Sequence, residues 1–151
     1  MSSGPDDRPV FVLEPDAVPP LSALRRWTSR ALPRLGADHL WAVHLVVTEL
    51  ATNAREHGAG RVTVTASADP FPCSALLEVH DGGGERPVAG EPEPGTPRGR
   101  GLLLVRELSR AWGVRGTEAG KVVWARIDCG SGTIRPCSVR AEPIAMDPEP
   151  C

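Results

Sequence analysis

The chain has 151 residues, enough for one domain with a real core and little room for a second. Hydrophobic residues at 40% and charged residues at 24% are ordinary globular values, so no extreme composition dictates the class. A formal net charge of −2 argues against a nucleic-acid binder held by phosphate contacts, which would show a basic stripe.

Residues 1–8 read as a flexible start without the apolar core of a secretory signal, and "LLLV" at 102–105 is far too short to span a bilayer. A cytoplasmic protein is expected. Cys73, Cys129, Cys137 and Cys151 are scattered, with no CxxC pair and no His at metal-finger spacing, which argues against a zinc site. All but one of the 17 basic residues are Arg; the exception is Lys121, read with the abundant Ala, Pro and Gly as coding bias.

"PVFVLEP" (9–15) alternates weakly between prolines and predicts a short edge strand. From Pro20, Leu21, Leu24, Trp27, Ala31 and Leu35 follow helical spacing, with Pro33 predicting a kink or an early end. Residues 37–58 form the strongest helical pattern. Leu40, Val43, Val47, Leu50 and Ala54 make its apolar stripe, Asp38 is the expected N-cap, and Gly58 closes it. "RVTVTASAD" (61–69) and "CSALLEVHDGG" (73–83) predict an antiparallel hairpin.

Residues 82–98 are too rich in Gly and Pro for an element and predict a long functional or mobile loop. A helix is expected over 99–113, carrying Leu102, Val105, Leu108 and Trp112, then a turn at 118–120 and a last strand over 121–127. Beyond Asp128 no apolar period remains, so a disordered tail is expected over 128–151. The domain is thus placed at 9–127. The order β-α-α-β-β-loop-α-β predicts an α+β, two-layer α/β sandwich, a mostly antiparallel sheet with helices on one face.

Three motifs carry chemistry. In "TELATNAREHG" (48–58), Glu49, Asn53 and His57 recur every fourth residue and share one side of a helix. Such a stripe is usually a solvated face. Its functional reading is an amide oxygen on Mg²⁺ and an acid one turn away that deprotonates a nucleophile. In "EVHDGGG" (78–84), Asp81 either opens a tight turn or accepts a hydrogen bond from an exocyclic amine such as that of adenine. Gly83 would then let the base approach. In "RGRGLLLV" (98–105), Gly99 and Gly101 stand between Arg98, Arg100 and Leu102 at a helix start, an ordinary loop entry or an anion site.

A helix ending in Glu-x-x-x-Asn, a strand ending in Asp-x-Gly, a long loop and Gly-x-Gly-Leu opening a helix resembles the GHKL (Bergerat-fold) ATPases. "TNAREHG" resembles the N box of bacterial anti-sigma factor serine kinases, and "GRGLLLVRELSRAWGV…GKVVWARI" the small stand-alone ATP-binding regulators of that branch. The resemblance implies ATP and Mg²⁺ as cofactors, with Asn53 as metal ligand and Glu49 as general base. It implies nucleotide binding by Asn53, His57, Asp81, Gly83, Arg98, Gly99, Arg100, Gly101, Leu102 and Thr117. It also implies a sigma factor and a STAS-domain antagonist as partners, the antagonist phosphorylated on serine, with a homodimer as a further state. The alternative is a non-catalytic protein that uses ATP to order its lid and hold a partner. Two departures stand out: position 85 is Glu where the family has Gly, and position 56 is Glu where sensor histidine kinases carry a basic residue. The segment before the N box is also too short for the dimerisation helices of those kinases.

Overall fold

The computed structural model describes residues 8–15, 20–70, 73–83, 97–130, 132 and 134–137, with the backbone alone for 97–101. The chain runs β1 (Val10–Leu13), α1 (Leu21–Ala31), α2 (Ala37–His57), β2 (Val62–Pro70), β3 (Cys73–Asp81), α3 (Pro97–Leu108), β4 (Ala111–Thr117) and β5 (Gly120–Asp128). The strands form one antiparallel sheet in the order β1-β2-β3-β5-β4, with the helices packed on it. This is the expected α+β sandwich. Among the described residues, no helix is long and apolar enough to cross a membrane.

Alternation decides which face of the sheet meets the helices. Val62, Val64 and Ala66 of β2 are buried while Thr63, Thr65 and Ser67 between them are half-exposed. On β3 the matching set is Ala75, Leu77 and Val79, and Asp81 is next in that series. α2 lies on this face and buries Ala42, Val43, Val46, Val47, Leu50, Ala51 and Ala54. Its N-cap is Gly36, not Asp38; Asp38 sits in the first turn, where its charge suits the helix dipole without a capping bond. α1 stops at Ala31, two residues before Pro33.

The third helix differs from expectation at both ends. It begins at Pro97, inside the predicted loop, and ends at Leu108 instead of residue 113. Ser109 still donates to the Val105 carbonyl, but the Arg110 N–H turns to Arg126 O at 2.8 Å, and β4 pairs with β5 from there. Trp112 packs on the core as its spacing from Leu108 demanded, but from a strand. The missed strand β4 converts the predicted order to β-α-α-β-β-α-β-β.

The expectation that nothing beyond Asp128 packs is also corrected. Ile134 is 4% exposed and joins the core cluster, a burial that contributes about 2 kcal/mol. Gly130 N–H donates to Ile134 O at 2.9 Å, closing a tight loop that returns the chain to the domain. The rest of the predicted tail, residues 1–7 of the expected flexible start and residues 84–96 of the expected loop lie outside the described residues.

Candidate functional site

β3 delivers Asp81 to the helix-facing side of the sheet at its last residue, so its carboxylate is carried under the C-terminal end of α2. The side chain is fully buried. Oδ1 accepts the Gly83 N–H at 2.6 Å and the Lys121 ammonium at 2.9 Å, and Lys121 is itself only 6% exposed. Oδ2 is buried with no hydrogen-bond partner among the described residues. A buried charged oxygen without a donor costs more than an ordinary unmade bond. It therefore marks the point where a ligand N–H would be welcome.

Glycines allow this close approach. A Cβ on Gly58, the residue that caps α2, would collide with the Asp81 carboxylate. A Cβ on Gly83 would lie 3.0 Å from Gly58 Cα and 3.1 Å from Asp81 Oδ1. The helix end, the acid and the start of the loop can share one place only because neither residue has a side chain.

Glu49, Asn53 and His57 lie on the last turns of α2, all half-buried. The Asn53 amide nitrogen is buried without a partner among the described residues. So is His57 Nε2, whose nearest acid, Glu56 Oε1, is 3.6 Å away, beyond hydrogen-bonding distance. Burial, reinforced by the charge of Glu56, raises the pKa of Glu49 above the usual carboxylate range. Between its free and its raised pKa, the folded chain holds a proton that the unfolded chain has released, so stability falls as pH rises through that window. Glu49→Gln lacks this slope. Its thermal midpoint relative to wild type should therefore rise between pH 4 and pH 8; a constant difference in melts at the two pH values would refute this.

Beside the Asp81–Lys121 pair lies an open pocket of about 260 Å³, lined among others by Gly60, His80, Gly82 and Thr117. Of the predicted binding residues it takes in Asp81 and Thr117, the latter brought there by the β4–β5 turn. Leu102 is fully buried in the packing of α3, so its side chain supports the helix. Gly99 and Gly101 fall in the first turns of α3, while the side chains of Arg98 and Arg100 lie outside the described residues.

Two participants escaped the sequence reading. Lys121 is the only lysine in an Arg-rich chain, and that singularity is the one signal the sequence carries for it. Gly58 read as a helix stop, and its clearance for Asp81 depends on a strand 23 residues further on. A family model described as the histidine kinase-like ATPase domain matches residues 12–127. No curated protein matches the chain.

Proposed function

The chain belongs to the histidine kinase-like ATPase (GHKL) family, and we propose that within it this protein binds Mg·ATP and transfers the γ-phosphate to a serine of a STAS-domain partner. The observation that carries the nucleotide half of this reading is the buried Asp81 Oδ2, which has no partner among the described residues. Adenine offers an exocyclic N–H₂ of matching sign, and Lys121 with Gly83 fixes the carboxylate so that Oδ2 alone faces the base.

Asn53 fits a metal role by its chemistry. One end of its amide is buried without a partner, and turning the amide over presents its oxygen, a hard ligand suited to Mg²⁺ that is already partly neutralised by phosphates. Bound there, Mg²⁺ would neutralise charge on the phosphates and polarise the γ-phosphoryl group. Glu49, one helical turn earlier, takes the proton of the attacking serine, and its raised pKa suits it to hold that proton. The family resemblance of the N box supports a sigma factor and its STAS-domain antagonist as partners, with sequestration of the sigma factor as the regulatory output.

Asp81→Asn tests the adenine contact. Lys121 requires the amide oxygen, so the Asn N–H₂ takes the place of Oδ2 and meets the adenine amine donor to donor. ATP affinity measured by calorimetry should fall about 10–100-fold. Unchanged affinity in a folded variant would remove Asp81 from the site.

A further inference from the structure

At the other end of α2, β3 and β5 the fold assembles a second cluster. His39 stands in the first turn of α2, Cys73 opens β3, Cys129 directly follows β5, and Cys137 returns on the C-terminal segment. Their ligand atoms, one imidazole nitrogen and three sulfurs, all lie within 4.8 Å of one another. Cys137 Sγ is 3.0 Å and Cys73 Sγ 3.7 Å from His39 Nδ1. Ligands on a tetrahedron with metal–sulfur bonds of about 2.3 Å and metal–nitrogen bonds of about 2.0 Å are separated by roughly 3.5–3.8 Å, so the cluster needs only small adjustments to close on an ion.

The surroundings prepare these atoms as ligands. His39 is fully buried, and its Nε2–H donates to Ile127 O at 2.7 Å, which leaves the Nδ1 lone pair aimed at the sulfurs. The Gly36 N–H donates to Cys137 Sγ at 3.1 Å, as a backbone amide does to a metal-bound thiolate. A disulfide would use two sulfurs, strand the third and leave the oriented imidazole without a role. Soft thiolates with one imidazole are a zinc donor set, and four protein ligands leave no open coordination position.

We propose that His39, Cys73, Cys129 and Cys137 form a closed, structural Zn²⁺ site that clamps the segment after β5 to α2 and β3. The ion binds as three thiols release their protons to solvent; no redox change is involved. The clamp explains why a Pro- and Gly-rich segment follows β5 back onto the domain and seats Ile134 in the core. About 21 Å of helix separates His39 from Asn53, so this proposal stands apart from the nucleotide site.

The untagged full-length chain, purified under reducing conditions from zinc-replete cells, should carry one zinc per chain by elemental analysis. X-ray absorption should show three sulfurs and one nitrogen, and Co²⁺ exchange should give the intense visible bands of a tetrahedral thiolate site. Cys129→Ser and Cys137→Ser should each reduce bound zinc to below roughly a tenth per chain. Removing zinc from the wild type with a strong chelator should lower Tm by roughly 10 °C or more, without dependence on nucleotide. The proposal is overturned if the reduced wild type takes up neither Zn²⁺ nor Co²⁺, or if mass spectrometry finds a disulfide among these cysteines in the native protein. It is overturned as a clamp if stripped and loaded protein melt together. The wild-type measurements decide the matter even where a variant does not fold.

Discussion

Glu49→Gln is expected to keep ATP binding and to slow phosphate transfer to a STAS-domain serine by about 10²–10⁴-fold. A serine hydroxyl is a poor nucleophile until its proton has an acceptor in place. Glu49 lies one turn before Asn53 on the same side of α2, half-buried, and burial has made its carboxylate more basic. Gln keeps the size and the hydrogen bonds but cannot take the proton. Because transfer needs the ionised form, the wild-type rate should fall on acidification at a pH above the usual range for glutamate. Labelled ATP, the candidate partner and both forms of the protein give the measurement. Equal transfer by the two forms would remove Glu49 as the base and leave the stripe as a nucleotide-binding edge, and no transfer by the wild type to any cognate partner would favour the non-catalytic reading.

The second large effect is on stability. Lys121→Met should destabilise the fold by about 3–5 kcal/mol, because it leaves the Asp81 carboxylate buried with the Gly83 N–H as its remaining donor among the described residues. For a chain of this size that corresponds to roughly 10 °C in Tm. Removing both charges relieves the penalty, so Lys121→Met combined with Asp81→Asn should recover most of the loss. Urea unfolding of the two single variants and the double variant measures the coupling. Additive losses would show that the pair is not the source of the effect.

The pair also separates what local pattern conveys from what it cannot. α2 was legible because its apolar residues repeat with the helical period over 21 residues, and the β2–β3 hairpin because alternation over two runs left one register that buries the apolar set. The placement of Glu49 and Asn53 late on α2 and of Asp81 at the end of β3 was legible for the same reason: each is in a short motif at the end of an element whose phase is set locally. The end of α3 was not. Leu108 and Trp112 keep helical spacing, and only the competing hydrogen bonds offered by β5 turn Arg110 and its successors into a strand.

Nor could spacing along the chain reveal partners that the sheet brings together. Lys121 reaches Asp81 across 40 residues, and Cys137 reaches His39 across 98. In sequence these are a lone lysine and scattered cysteines. The antiparallel pairing of β3 with β5 sets Asp81 opposite Lys121 at one end and carries Cys73 beside Cys129 at the other, while α2 spans the same length above them. Local periodicity determined every element but the end of α3 and β4, whereas burial and strand register decided those and which side chains meet, because strand pairing, charge pairing and ligand geometry act through space and not along the chain.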